Sequence, residues 1–296
     1  RCIDCGECVR VCPHHAKRAQ SDPLSVIESF PYAIALPAPT LYGQFNHLDD
    51  IDIVLTGLKR LGFDEVFEVS RAAELVSEAT RRLMREGKLR LPVISSACPA
   101  VVRLIRVRFP DLCGHVLPLA SPMELAARTA KDEAARRTGL PREQIGAFFL
   151  TPCPAKVTDA RPPINFEHSE VDGVIAISEI FPKLLDKMDH LDRTERLQGC
   201  GGCVGGVLTV ENPYVARARL QRLRRYLPVS RNHLEAGGVP DSMHWQSELE
   251  YAPVLKLSDN MEEALRMMAD IDRICATFPG LDCGSCGAPS CRALAE

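Results

Sequence analysis

The stretch Gly146-Ala-Phe-Phe-Leu150, followed at once by Thr151-Pro-Cys-Pro154, decides the fold class of this sequence. A short apolar run bounded by turn residues indicates a buried strand. A second strand is predicted at Val171–Ile177, and a helix at Ser178–Met188. Strands that alternate with helices predict a parallel sheet, in which ligands bind beyond the carboxyl ends of the strands. Cys153 falls at such an end and is therefore a candidate ligand.

The same alternation occurs earlier in the chain. We expect strands at Tyr32–Leu36 and Leu91–Ser95, and helices at Ala72–Glu86, from Pro99 onward, and from Ser121 to about Gly139. The apolar run Ile51–Leu55 is compatible with a strand or with the start of a helix. Leu91–Ser95 leads directly into Ala97-Cys98-Pro99, so Cys98 is a second cysteine at a strand end. The sequence thus predicts an α/β fold of two lobes, with parallel sheets flanked by helices.

The composition excludes several classes of protein. With 296 residues, 46% of them hydrophobic and 25% charged, the chain has globular proportions and the length of about two domains. The formal net charge of −3 argues against nucleic acid or a membrane surface as a partner. No apolar run approaches the roughly 18 residues that a membrane-spanning helix needs.

The 13 cysteines are unusual in their spacing rather than in their number. An odd count gathered in short clusters is unlike the disulfide framework of a small secreted domain. Thiolates that lie so close together are typical of iron–sulfur or soft-metal sites. We therefore expect a reducing compartment and a cytoplasmic location.

The first cluster contains Cys2, Cys5, Cys8 and Cys12, and Pro13 follows it. This C-x2-C-x2-C-x3-C-P run is the pattern of bacterial ferredoxins and predicts a [4Fe–4S] cluster. A zinc knuckle is the weaker alternative, because zinc sites pair two C-x2-C units at a distance. In two-cluster ferredoxins the fourth cysteine of a run binds the other cluster. Cys12 would then serve a second cluster, whose own cysteine run we expect upstream of residue 1.

A third cysteine-bearing loop is Cys200-Gly-Gly-Cys203-Val-Gly-Gly206. Its glycines allow the backbone to approach a bulky group closely. A phosphate cradle is disfavoured because the Lys-Ser/Thr ending of a P-loop is missing. A zinc half-site remains open, since Cys98 and Cys153 would supply the two further ligands.

Three motifs occur in the order of the active-site motifs of [FeFe]-hydrogenases and resemble them: Ser95-Ser-Ala-Cys-Pro99, Thr151-Pro-Cys-Pro-Ala-Lys156 and the Cys200–Gly206 loop. Supporting stretches that also resemble the family are Leu61–Phe67, Phe109–Leu112 and Val171–Ile175. The resemblance covers roughly residues 25–215. It implies the iron-hydrogenase fold and an iron–sulfur cofactor.

The closing run contains Cys283, Cys286 and Cys291. It resembles the small four-cysteine [4Fe–4S] module of sensory-type relatives, which takes a fourth cysteine further downstream. Such relatives often continue into PAS and other signalling domains, so we expect both chain ends to be cut through iron–sulfur modules. The expected domains are a partial ferredoxin-type domain at 1–22, an H-cluster domain at 23–265 with lobes of about 23–140 and 141–265, and the start of a C-terminal [4Fe–4S] domain at 266–296.

The resemblance also implies ligand roles. Cys98, Cys153, Cys200 and Cys203 would hold the cubane half of an H-cluster. Cys203 would bridge to the diiron subsite, which carries CO, cyanide and azadithiolate ligands. Lys156 would donate a charge-assisted hydrogen bond to a cyanide. Four further positions are implied to line the cofactor: Ala38, Pro39, Ser96 and Pro152.

Three positions depart from the family pattern. Ala97 stands where the family has a cysteine that relays protons, Thr151 stands where it has a methionine, and Asp159 stands where it has a glutamate. The family's glutamates that feed protons to the site suggest a similar role for Glu74 or Glu78, although ordinary surface positions are an equal interpretation.

The resemblance implies reversible H2 oxidation and proton reduction. Because Ala97 has no titratable proton, we expect a slow, sensory protein wired through [4Fe–4S] clusters, with H2, protons and a ferredoxin-type redox partner. The alternative is an electron-transfer or cluster-assembly protein of the same fold that lacks the diiron subsite. Lys156 favours the first interpretation, since a cyanide partner is its main attributable task.

Overall fold

The computed structural model describes residues 2–14, 16–46, 48, 50–188, 208–223, 232–234, 237–252, 258, 260–282, 288 and 290–295. They fall into two compact units, residues 2–250 and residues 251–296. In the described part of the chain, no helix combines the length and the apolar content needed to cross a membrane.

The larger unit is organised around one parallel sheet. Its strands are β1 (Tyr32–Pro37), β2 (Glu65–Val66), β3 (Ile145–Thr151) and β4 (Gly173–Ala176), in the order β2-β1-β3-β4. The predicted alternation of strands and helices is therefore confirmed. One feature differs from expectation: β1 and β3, predicted in separate lobes, pair directly along their whole length, from Tyr32 opposite Ile145 to Pro37 opposite Leu150.

Helices connect and cover these strands. In the larger unit they are α1 (Glu7–Val11), α2 (Asp52–Arg60), α3 (Val69–Arg85), α4 (Pro99–Arg108), α5 (Pro122–Thr138), α6 (Pro154–Ala160), α7 (Ile177–Met188) and α8 (Pro213–Leu223). The predicted helices are confirmed within a few residues at each end, and the ambiguous run at Ile51 begins helix α2. The side chain of Ser121 caps α5, and Gly139 ends it in the left-handed conformation at φ 74°.

The strand predicted at Leu91–Ser95 is wrong. Ile94 alone forms an isolated parallel bridge, to Val116, and Leu91 is 69% exposed. Pro92 explains the difference, because proline has no N–H to donate to a strand ladder. The segment nevertheless leads into α4 as expected, with Cys98 immediately before the first helical residue, Pro99.

Two apolar layers lie on opposite faces of the sheet, because successive side chains of a strand alternate between faces. Ile34, Leu36 and Phe149 pack with buried residues of α3 and α5 on one face. Phe148 and Leu150 pack with buried residues of α2 and α7 on the other face. A fully buried side chain of this size stabilises the fold by roughly 1.5–3 kcal/mol. The core thereby fixes the carboxyl ends of β1 and β3 side by side.

The smaller unit contains α9 (Met261–Ala276) and α10 (Cys291–Ala295). The Asn260 side chain caps α9 by accepting a hydrogen bond of 2.9 Å from the Glu262 N–H. The Cys291 N–H donates to Asp282 at 2.6 Å, which fixes the start of α10.

Candidate metal centre

A cavity of about 420 Å³ opens at the carboxyl ends of β1 and β3. This is where a parallel sheet binds its ligands. Most of the predicted site residues that the structure describes line it: Ala38, Pro39, Ala97, Cys98, Thr151, Pro152, Cys153 and Lys156. The sheet thus brings together segments that are more than 100 residues apart in the sequence.

Each of the two cysteines of this cavity precedes a helix that begins with proline. The Thr151 hydroxyl at the end of β3 accepts a hydrogen bond of 3.1 Å from the Cys153 N–H, which turns the chain toward α6. Cys153 then occupies the cap position of α6, as Cys98 does in α4. Proline suits the first helical position because its missing N–H has no helical partner there. The Thr151 hydroxyl therefore has a structural task.

The Cys153 thiol is half-buried, and this burial raises its pKa. The backbone N–H groups of Lys156 and Ala155 oppose the rise, while the neighbouring Cys98 adds to it. A thiolate here requires compensating positive charge, which iron supplies when it binds sulfur. The donor chemistry of Cys98 and Cys153 fits an iron–sulfur group.

Lys156 is the most informative side chain of the cavity. Its Nζ is buried and has no hydrogen-bond partner among the described residues. The nearest acidic oxygen recorded for it is Oδ2 of Asp159, at 4.0 Å. An ammonium group removed from water is costly unless it is paired. The cavity therefore offers a positive charge to an anionic ligand, which fits an iron group that carries cyanide.

Two predicted residues lie beside this cavity and not on it. Ser96 and Asp159 line a neighbouring cavity of about 20 Å³. The Ser96 hydroxyl donates to the Leu119 carbonyl at 2.9 Å and thereby joins the two backbone segments. Ser96 is absent from the lining of the larger cavity. Asp159 is 7% exposed, and burial raises its pKa, against the opposing charges of Lys156 and Arg103.

Sequence reasoning missed Glu124, which lines the same small cavity as Asp159 and is 3% exposed. The pattern Ser121-x-x-Glu124 is typical of a helix capping box and does not by itself indicate a buried carboxylate. The Ser121 hydroxyl does accept from the Glu124 N–H, at 3.5 Å. The carboxylate, however, accepts hydrogen bonds from the Ser169 hydroxyl and, at 2.8 Å, from the Glu170 N–H.

The two glutamates of α3 differ in position. Glu74 lines the larger cavity, and its carboxylate accepts hydrogen bonds from the backbone N–H and side-chain amide of Asn232, at 3.0 and 2.7 Å. Glu78 is absent from that lining; it pairs with Arg82 at 2.7 Å and accepts from the Leu234 N–H at 2.9 Å. Glu74 is thus the better placed of the two to exchange protons with the cavity.

The N-terminal cysteine run packs against the same region. Gly6 adopts φ 80°, and α1 follows it. The Asp4 carboxylate accepts a hydrogen bond of 2.7 Å from Arg103 on α4, the helix that follows Cys98. Cys2, Cys5, Cys8 and Cys12 are free thiols on or near the surface.

The remaining predicted ligands lie elsewhere in the chain. Cys291 is a half-buried free thiol. Four predicted ligands lie outside the described residues: Cys200, Cys203, Cys283 and Cys286. Within the described ranges, no group of three or more Cys, His, Asp or Glu is arranged to hold a metal ion. All the predicted iron ligands therefore stay predictions.

Comparison with known families agrees with this geometry. The family model "Iron only hydrogenase large subunit, C-terminal domain" matches residues 32–196. A 4Fe-4S binding domain matches residues 1–18, and an Fe-S cluster module matches residues 278–296.

Curated relatives include both hydrogenases and an assembly factor. The chain is 31% identical to the NADP-reducing hydrogenase subunit HndD of Solidesulfovibrio fructosivorans, over 64% of this chain and 36% of that protein. It is 25% identical to iron hydrogenase 1 of Clostridium pasteurianum, over 52% of this chain and 29% of that protein. It is 31% identical to the cytosolic Fe-S cluster assembly factor NAR1 homolog of Schizosaccharomyces japonicus, over 33% of this chain and 19% of that protein.

The matched region spans about a third of the length of the two hydrogenase relatives. The family model, by contrast, matches more than half of this chain, and its boundaries enclose β1 to β4 together with Cys98, Cys153 and Lys156. The chain belongs to the family of the iron-only hydrogenase large subunit, C-terminal domain.

Proposed function

We propose that this chain is a hydrogenase-type domain that interconverts H2 with two protons and two electrons at an H-cluster. The observation that carries the proposal is Lys156 Nζ, a buried cation without a hydrogen-bond partner among the described residues, in the wall of a cavity that also contains Cys98 and Cys153. Thiol ligands and a buried cation whose N–H donors are unused by the described residues together suit an iron–sulfur group with anionic ligands.

The residues of the cavity would have three different roles. Cys98, Cys153, Cys200 and Cys203 would hold the cluster, whose diiron subsite supplies the H2 chemistry when it is bound. Lys156 offers its ammonium to the anionic ligand. The apolar side chains of Ala38, Pro39 and Pro152 line the cavity.

Electrons would reach the site through the N-terminal cysteine run. The bond between Asp4 and Arg103 holds that run against α4, which begins next to Cys98. The matches to iron–sulfur modules at residues 1–18 and 278–296 support electron transfer through iron–sulfur clusters, with a ferredoxin-type redox partner. Thiolate ligands need a reducing environment, so a cytoplasmic location is part of the proposal.

We further propose that turnover is slow and that the role is sensory, in a protein that carries a PAS or other signalling domain. Ala97 lines the cavity, yet its methyl group neither donates nor accepts a proton. A positioned acid–base group contributes roughly 10²–10⁴-fold in rate. A protein that lacks one suits a sensor, whose output depends on occupancy or redox state more than on flux.

A second candidate function is an iron–sulfur assembly or electron-transfer protein that never receives the diiron subsite. The similarity to an assembly factor and the presence of Ala97 favour it. The Lys156 ammonium, which has no hydrogen-bond partner among the described residues, opposes it, because a bare cubane gives the ammonium no cyanide to bind.

Hydrogen turnover by the full chain, loaded anaerobically with its clusters, tests the proposal. We expect slow H2 evolution from a reduced viologen dye, and none from the Cys153→Ser variant. Turnover that survives in Cys153→Ser would refute the cavity as the site. A wild-type chain that holds its cubane but shows neither CO and cyanide infrared bands nor turnover would support the second candidate.

A further inference from the structure

A small cavity beside the cysteine-lined one is lined by two carboxyl groups. Its volume is about 20 Å³, and its lining includes Ser121, Glu124 and Asp159. Glu124 is 3% exposed and Asp159 is 7% exposed. A cavity needs roughly 10–15 Å³ on this measure, and two to four polar partners, to hold one water molecule. The carboxyl groups of Glu124 and Asp159 and the Ser121 hydroxyl supply those partners.

The charges around the two carboxyl groups do not balance if both are ionised. Two hydrogen-bond donors face the Glu124 carboxyl, the Ser169 hydroxyl and the Glu170 N–H. The charged side chains that face it are Asp159 and Lys156 on α6. The groups that face Asp159 are Lys156 on its own helix, Arg103 on α4 and the Ile164 N–H.

Arg103 is already committed to another carboxylate, because it donates to Asp4 at 2.7 Å. Lys156 is therefore the one cation that these groups have to themselves among the described residues. Two ionised carboxylates would leave a net negative charge on two largely buried side chains, which is strongly unfavourable. Burial raises the pKa of both Glu124 and Asp159, and it is the largest cause in each case. One proton between the two groups makes the cluster with Lys156 neutral.

We propose that Glu124 and Asp159 share one proton through a single bridging water, and that the pair is a proton-holding site beside the cysteine-lined cavity. Its use in H2 chemistry rests on the function proposed above, whereas the shared proton itself does not.

A route from solvent leads to this pair. The Ser169 hydroxyl is only half-buried and donates its hydrogen bond to the Glu124 carboxylate. The adjacent Glu170 side chain is 22% exposed and is held by Arg128 and Arg142 at the surface. A proton released by the pair is replaced by one from bulk water, which passes to Glu124 through the Ser169 hydroxyl. The pair thus holds a proton that bulk water can replace.

Infrared difference spectra of the full chain, purified anaerobically with its iron–sulfur clusters but no diiron subsite, test the shared proton. We expect a carboxylic-acid C=O band at neutral pH that shifts in D2O. It should disappear in Glu124→Gln and equally in Asp159→Asn, because either remaining carboxyl then ionises opposite Lys156. The variant Asp172→Asn, whose carboxylate is paired with Lys131 at 2.6 Å, is the matched control and should keep the band.

Several results would overturn the proposal. They are the absence of the band in the wild type, its persistence in both variants, and its loss in only one of them, which would place the proton on a single carboxyl. Glu124→Gln keeps an acceptor for the Glu170 N–H and should fold. If it does not, carbon-13 NMR of the labelled wild-type carboxyls decides, because a shared proton requires one Glu and one Asp to titrate as a coupled pair. None of these measurements depends on H2 turnover.

Discussion

Lys156 Nζ lies 4.0 Å from Asp159 Oδ2, and the two side chains are 12% and 10% exposed. The residues are one turn apart on α6, the short helix that begins directly after Cys153. The separation exceeds hydrogen-bond distance, so the carboxylate stabilises the ammonium without occupying its N–H donors. The helix therefore holds a charged group ready for a ligand in the cavity.

Replacing Asp159 with asparagine should change how stability depends on pH. Burial raises the pKa of the Asp159 carboxyl, so the folded chain retains a proton that the unfolded chain releases. The stabilisation from this proton is complete below the ordinary carboxyl pKa of about 4 and is lost as the pH rises toward the folded value. Asp159→Asn has no such loss.

Thermal unfolding midpoints of the anaerobically purified chain at several pH values measure this effect. The midpoint of Asp159→Asn should rise relative to the wild type as the pH increases above about 4. The variant Asp172→Asn is the control, and its difference from the wild type should not follow that trend. A constant difference between Asp159→Asn and the wild type would show that burial does not perturb Asp159.

Cys153 should be needed for one cluster, whereas Cys113 should not. Both thiols are half-buried, but Cys113 packs among the apolar residues around Val102 and Ile105, outside the cysteine-lined cavity. We expect Cys153→Ser to lose the iron of one cubane, about four atoms per chain, because a serine hydroxyl replaces a soft thiolate ligand. Cys113→Ser should retain the wild-type iron content. Iron and sulfide analysis of the purified chains measures both, and equal contents in all three would contradict the ligand assignment.

Gly146 should be intolerant of a side chain. An added Cβ would lie 2.6 Å from Phe30 and 2.7 Å from Phe148, two aromatic rings that pack edge to face under the sheet. Overpacking of this kind lowers the free energy of unfolding by roughly 1–3 kcal/mol. Gly146→Ala should therefore lower the thermal unfolding midpoint, while Gly238→Ala, where an added Cβ meets no atom within 4 Å, should not. Equal midpoints for the two variants would mean that the rings move aside freely.

The sequence predicted the strand β3, its cysteine and the helix caps, because apolar runs and proline positions report local structure. It did not predict that β1 lies beside β3, since strands buried on both faces carry no pattern that identifies their neighbours. The apolar composition of Leu91–Ser95 predicted a strand there. That prediction was wrong because Pro92 has no backbone N–H to donate to a neighbouring strand. The sequence did not identify Glu124 as a buried carboxyl, because the Ser-x-x-Glu spacing is typical of any helix cap.

A cysteine at position 97 should accelerate the reaction. Ala97 lines the same cavity as Glu74 and Lys156. A thiol at position 97 would therefore lie in the same cavity as the cluster ligands and the Glu74 carboxyl. Ala97→Cys should raise H2 turnover of the loaded chain, by up to the roughly 10²–10⁴-fold that a positioned acid–base group contributes. Ala97→Val adds bulk without a proton and is the matched control. Identical rates for Ala97→Cys and Ala97→Val would mean that protons arrive by another route, such as the Glu124–Asp159 pair.

The infrared spectrum of the full chain loaded with a diiron subsite tests the central claim most directly. We expect CO and cyanide bands in the wild type. We expect a strong loss of these bands in Lys156→Met, which removes the cation but retains the length of the side chain. Lys131→Met is the matched control: Lys131 is also buried, but it is ion-paired with Asp172 and absent from the cavity lining, so its bands should persist. A wild-type chain with an intact cubane but no CO or cyanide bands would contradict the claim that this cavity holds an H-cluster.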